Sequence, residues 1–266
     1  MTMPGAPGSL EQLFWYIGIG LHAVLVWRMW RCRLAGRYPV IFMLLAMQLA
    51  RSLWVTQYIA TPQLFRYHAN QYSFSIVFTE PILILARAVA VFELTAAALQ
   101  SYRGLSVLSR ATLAAGLVAS VTLSLLVHSA EFTFSGEPFR FLRVIYLLET
   151  TVYSALAVFL FLLALFVLYH PAPIRKNVLA HGIGFSVYML SSAAAVWLRN
   201  QDAAQWTRAA STMRLGITLL GLAAWAWLLS PRGEEESVEV HIPLSEETGQ
   251  RVLARLDALN SALERK

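Results

Sequence analysis

Seven separated apolar runs dominate this chain, at positions 10–30, 39–60, 73–100, 111–128, 139–169, 178–198 and 209–230. A helix rising 1.5 Å per residue needs about 20 such residues to cross a hydrocarbon core some 30 Å thick. Backbone polar groups in lipid must be satisfied within the segment, so runs of this length fold as helices. The reading is an all-α polytopic membrane protein. Residues 1–9 form a short outer segment, 10–230 a seven-helix transmembrane domain, and 231–266 a cytoplasmic tail. Composition agrees, with 58% hydrophobic and 14% charged residues against about a quarter charged in soluble domains. The first twelve residues carry no basic stretch and no small-residue cleavage site, so the first run reads as a retained helix and not as a signal peptide.

Orientation follows from the basic residues beside the helix ends. Arg28, Arg31, Arg33, Arg37, Arg103, Arg110, Arg175, Lys176 and Arg232 fall on one side. Arg66, Arg140, Arg199 and Arg208 fall on the other, with Arg143 near it. The richer side is cytoplasmic, which places the N-terminus outside and the C-terminus in the cytoplasm. Trp15, Trp54, Trp197 and Trp206 fall at outer boundaries and Trp27 and Trp30 at an inner one, as interfacial aromatics do. The net charge of +6 is explained by these clusters, which argues against nucleic acid as a partner. Cys32 is the one cysteine, so neither an intrachain disulfide nor a thiolate metal cluster is available.

After Pro231 the chain turns acidic, and Ser245 followed by Glu246 and Glu247 reads as a helix N-cap. A helix over about 246–264 would place Val252, Leu256, Leu259 and Leu263 on one narrow apolar stripe. Such a stripe either rests on the membrane or the inner loops, or docks a cytoplasmic protein.

Ionisable residues inside spanning segments are costly unless paired or wet, and this chain has many. Counted from the outer helix ends, Arg51, Glu80, Glu149 and Arg214 fall roughly 9–15 Å deep on four different helices, with Arg143 shallower. Glu80 and Arg87 are seven residues apart on one helical face, and Tyr146 and Tyr153 flank Glu149. Arg51, Glu80, Arg87, Arg143, Tyr146, Glu149 and Arg214 are therefore expected to enclose an outward-facing polar cavity. Its four arginines exceed its two glutamates, which favours a small anion or a lipid head group, because a guanidinium matches carboxylate and phosphate in a forked geometry. The competing expectation is a set of buried ion pairs that fix helix packing, such as Arg51 with Glu80.

Glu93 and His181 lie nearer the cytoplasmic ends of the third and sixth runs, and the two together would make a proton relay. No His or Glu pair at helical spacing points to a metal, and no cofactor motif is present. The nucleophile elbow and phosphate-loop signatures are absent, so a catalytic role is the less favoured one.

The last run has no lysine for a retinal Schiff base. Gln100-Ser-Tyr-Arg and Trp225-Ala-Trp-Leu-Leu-Ser-Pro replace the motifs of animal G-protein-coupled receptors. The stretches Arg37-Tyr-Pro-Val-Ile-Phe, Arg143 with Glu149, and His181-Gly-Ile-Gly-Phe-Ser resemble a group of uncharacterised bacterial seven-helix membrane proteins. That group is similar in size and topology to the seven-helix input modules of bacterial sensor kinases. The resemblance implies a multi-pass protein of the bacterial inner membrane and no known ligand, and if it extends to the sensor modules a signal passes through the tail to a separate protein. The leading expectation is a receptor-like or accessory protein whose outer-half cavity binds a small anionic or lipid-like molecule and whose tail helix contacts a cytoplasmic partner. A small-solute transporter or channel, a lipid-modifying enzyme and a purely structural subunit are the alternatives.

Overall fold

A computed structural model describes residues 9–60, 69–127, 140–169, 173–201 and 203–239, with residues 254, 258 and 260–262 of the tail. Among them are seven long helices, α1 (Ser9–Arg31), α2 (Pro39–Ala60), α3 (Ala69–Ala98), α4 (Arg103–Val127), α5 (Arg140–Tyr169), α6 (Lys176–Gln201) and α7 (Ala203–Leu228). Each overlaps one apolar run, but α4 begins eight residues before position 111. The charge of Arg110 bounds the run in the sequence, but the apolar segment continues through it, from Gly104 to Val127. The Arg110 Nε folds back to the Ser106 carbonyl at 3.2 Å while its side chain stays exposed.

Five of these helices contain a segment long and apolar enough to cross a membrane: Gln12–Arg31, Pro39–Gln57, Val77–Ala98, Gly104–Val127 and Leu147–Leu168. The stretch Thr212–Leu228 is apolar but shorter. The distribution of side chains is inverted relative to a soluble protein. Trp227 is 78% exposed while Arg87 is 2% exposed. An apolar exterior around a charged interior fits a lipid solvent, because only lipid removes the cost of exposing that much apolar surface. The chain is therefore an all-α membrane-embedded protein.

Helices α1, α2, α3, α5, α6 and α7 close a ring in that order, with α7 returning to α1 and α3 also reaching α6 across it. Helix α4 sits outside, against α3 and α5, and most of its residues are exposed. The longest contact is between α6 and α7, where Gly184 faces Trp225 and Gly221 faces Val187. Glycine at these positions lets the two helices approach, as small residues do in membrane bundles. Helix α1 ends in a Schellman turn, with Leu34 N–H donating to the Met29 carbonyl at 2.9 Å and Arg33 at φ 57°. Leu34 then packs into the core beside Met29 and Tyr38.

The end of the bundle where α7 terminates, here called the tail side, is fastened by residues that sequence reading assigned to the tail. Strand β1 (Pro173–Arg175) pairs antiparallel with strand β2 (Ser237–Glu239), with Ile174 opposite Val238. A 3-10 turn over Pro231–Glu234 precedes β2 and is capped by Ser230, whose side chain accepts from Gly233 N–H at 3.0 Å. Asn177 donates to the Ser230 carbonyl and to Glu234 and accepts from Ser230 N–H, at 2.9, 3.0 and 3.1 Å. Glu234 also meets Arg37 at 2.9 Å, Arg175 at 3.5 Å and the Tyr38 hydroxyl at 2.9 Å. The acidic composition after Pro231 is thus a counter-charge for the basic helix ends on this side, and these nine residues are bound to the bundle. Burial, with the Glu234 carboxylate next to it, pushes the Tyr38 hydroxyl above its ordinary range, so it remains a donor. The Lys176 ammonium beside Glu236 holds that exposed carboxyl below its usual range.

A Cβ added at Gly233 would stand 2.5 Å from Asn177 Oδ1 and 2.9 Å from its Cγ. Gly233→Ala is therefore expected to expel Asn177 from this clasp at a cost of about 1–3 kcal/mol. Hydrogen exchange checks it, through faster exchange of the Ser230 and Lys176 amides than in Gly36→Ala, where the added Cβ meets nothing within 4 Å.

Candidate functional site

Glu80 on α3 is the hub of a charged layer across the bundle. Its Oε2 pairs with Arg51 of α2, and its Oε1 pairs with Nη1 of Arg87 at 3.0 Å, one helical face along α3. Pro81 follows it inside α3, where the ring removes one backbone hydrogen bond next to the carboxylate. The same Arg87 Nη1 donates to the Tyr153 hydroxyl of α5, and that hydroxyl lies 3.4 Å from Glu80 Oε1. The Arg87 guanidinium also lies between two rings, 5.2 Å from Tyr153 and 5.3 Å from Tyr188 of α6. Cation and carboxylate are thus paired in a nearly dry setting, as a buried charge requires, although the buried Nε of Arg87 has no partner among the described residues.

A second pair lies alongside, with Arg214 Nη2 of α7 at 3.4 Å from Glu149 Oε1 of α5. Tyr188 is within hydrogen-bonding reach of Arg214 and stacks on Arg87, so it joins the two pairs. Glu80, Glu149 and Arg87 are at most 5% exposed, while the side chains of Arg51 and Arg214 are 23% and 27% exposed. The two outer arginines therefore form the edges of the layer. Three guanidinium groups face two carboxylates among these described residues, an excess of one positive charge.

The structure brings Arg51, Glu80, Arg87, Glu149 and Arg214 together as ion pairs, the arrangement that the sequence offers as the alternative to a polar cavity. The side chains of Arg143 and Tyr146, on the first turns of α5, lie outside the described residues. Most of the expected tail helix does so as well, but Asn260 accepts from Gly104 N–H at 2.8 Å and so meets the start of α4. Tyr188 is a participant that sequence reading missed. It carries no formal charge and breaks no apolar run, so neither signal used to find the site marks it.

The expected relay of Glu93 and His181 does not form, because each takes another partner. Glu93 accepts from the Val40 and Ile41 amides at 3.2 and 3.0 Å. These are two of the orphan donors at the start of α2, which opens on Pro39. A carboxylate from a neighbouring helix thus caps α2 and opposes its dipole. His181 is fully buried and accepts at Nδ1 from Trp225 Nε1 at 2.9 Å, which leaves its proton on Nε2. Tyr38 and Trp225 flank it edge-on, with ring centroids at 4.8 and 5.5 Å. These three rings plug the bundle above the clasp.

No family model matches the chain, and no curated protein and no solved structure is significantly similar to it.

Proposed function

We propose that the protein is a receptor-like, seven-helix protein of a bacterial inner membrane, with its N-terminus outside and its tail in the cytoplasm. Its charged layer takes up a small anion, a carboxylate or a phosphate, from the outer side. The reading rests on one observation: the layer carries one more guanidinium than carboxylate, and the two arginines at its edges are about a quarter exposed. A forked anion that pairs with Arg51 or Arg214 would compete with Glu80 or Glu149 and move α2 or α7 relative to α3 and α5. Helix α7 runs directly into the clasp and the tail, so its displacement is the natural output to a cytoplasmic partner. The clasp and the aromatic plug favour this role over a transport path, since Glu93 is occupied as a cap and the tail side is fastened.

The test is thermal melting of the full chain in nanodiscs at fixed chloride, with carboxylates, phosphate and short-chain phospholipids added. One of these classes is expected to raise the melting temperature, and Arg51→Gln or Arg214→Gln to remove that rise. If no member of the panel shifts the melting temperature, or both variants keep the shift, the reading is wrong.

A further inference from the structure

The tail-side end of α1 is strongly basic and only partly neutralised. Arg28, Arg31, Arg33 and Arg37 follow one another closely, and two of them are engaged by the bundle: Arg28 donates to the Leu229 carbonyl beyond α7, and Arg37 pairs with Glu234. Arg31 and Arg33 are exposed, and among the described residues no carboxylate pairs with either. The Arg31 guanidinium lies instead over the Trp27 ring one turn earlier, 5.3 Å from its centroid. Trp27 and Trp30 are themselves exposed, and indoles at a helix end sit at the level of lipid head groups. Arg33 carries a second signal. It occupies the left-handed turn that closes α1, at φ 57°, the one non-glycine residue at positive φ among those described. Glycine suits such a turn, because a Cβ is crowded there. The chain keeps a charge where glycine would be more stable, and residues held in such conformations cluster where ligands are gripped.

We propose that Arg31 and Arg33, with Trp27 and Trp30 beside them, form a binding site for the head group of an anionic phospholipid. Its phosphate accepts from the two guanidinium groups, whose forked donors match phosphate oxygens. Its acyl chains lie along the face of α1 that Arg31 ends: Val24 and Ile17 precede Arg31 on that face at seven-residue steps, and both are exposed. This apolar stripe, continuous with the charged end, selects a lipid over free phosphate as the occupant. Helix α1 supplies no residue to the charged layer of Arg51, Glu80, Arg87, Glu149 and Arg214, so the lipid site is separate from the outer-side one.

The experiment compares melting of the full chain in phosphatidylcholine nanodiscs, in discs that also contain phosphatidylglycerol, and in the neutral discs with inorganic phosphate added, all at fixed ionic strength. Phosphatidylglycerol is expected to raise the melting temperature by about 5 °C, and inorganic phosphate is not. Arg33→Gly is expected to melt no lower than the parent in neutral discs, since it relieves the turn, and to lose most of the lipid-dependent rise. Arg31→Gln should lose it as well. Arg232→Gln, which removes another exposed charge from the same end, and Arg51→Gln, in the charged layer, should both keep it. The proposal is overturned by the absence of a rise with phosphatidylglycerol, by an equal rise with phosphate, or by a rise that survives Arg33→Gly. It is also overturned if Arg232→Gln abolishes the rise as fully, which would mean diffuse surface charge, or if Arg51→Gln does, which would move the lipid to the charged layer. The outer-side reading fails or stands separately, because its own shift is removed by Arg51→Gln or Arg214→Gln.

Discussion

Glu80→Gln is expected to destabilise the protein by about 3–5 kcal/mol, the range for removing one partner of a buried ion pair. The carboxylate serves Arg51 and Arg87 at once, so its loss leaves two guanidinium groups converging on a neutral amide. Arg87, at 2% exposure, has no route to water. Arg51→Gln is expected to cost far less, about 1 kcal/mol or below, because Arg51 is partly exposed and its removal leaves the Glu80–Arg87 pair intact. The double variant should therefore recover only a part of the Glu80→Gln loss, since Arg87 remains uncompensated. Chemical denaturation of the four proteins in one detergent measures the cycle. Equal single losses with full recovery in the double variant would mean that Arg51 and Glu80 form an isolated pair and that Arg87 is served elsewhere.

Gly184→Ala is expected to cost about 2–4 kcal/mol. An added Cβ would stand 2.6 Å from Trp225 Cε3, 2.8 Å from its Cγ and closer still to Cδ2. The indole is buried between Phe185 and His181, so it cannot yield without breaking its bond to His181 Nδ1 at 2.9 Å. Overpacking of about 1–3 kcal/mol and a lost buried hydrogen bond of about 1 kcal/mol add in the same direction. Gly182→Ala is the matched control, since its Cβ meets nothing within 4 Å and alanine is the better helix former by ~1 kcal/mol. It should be neutral or stabilising. Melting temperatures of both variants, with the near-ultraviolet dichroism of the tryptophans, decide the matter. A Gly184→Ala protein that melts and absorbs like Gly182→Ala would show that α6 and α7 are not held at the separation described.

Both predictions depend on information that the chain carries unevenly. Helix positions are legible because a hydrocarbon-matched run is a one-dimensional signal, and the common depth of Arg51, Glu80, Glu149 and Arg214 follows from rise per residue alone. Depth does not give rotation. Whether Glu80 turns toward α2, toward its own Arg87 or toward Tyr153 depends on how the ring closes, and all three occur. Glu93 was misread for a related reason: its partners are backbone amides fifty residues away, and a backbone donor has no identity in sequence. Strand β2 is three residues long and is made by pairing with β1 some sixty residues earlier, so no local pattern announces it. Gly184 carries the same lesson, since its necessity is set by an indole on another helix.

The contact of α7 with α1 has a consequence for how a copy is made. Gly18 lies 3.4 Å from Leu219 at the position where its Cβ would be, Gly216 looks toward Phe14, and the Arg28 guanidinium bonds the Leu229 carbonyl at 2.5 Å. During synthesis α1 emerges without this neighbour and waits until the chain from Ala203 onward is made. A ribosome that stalls before position 203 leaves a nascent chain with one flank of α1 unfilled and the clasp residues after Pro231 unmade. Such a fragment carries an open seam along α1 that the folded bundle fills with α7.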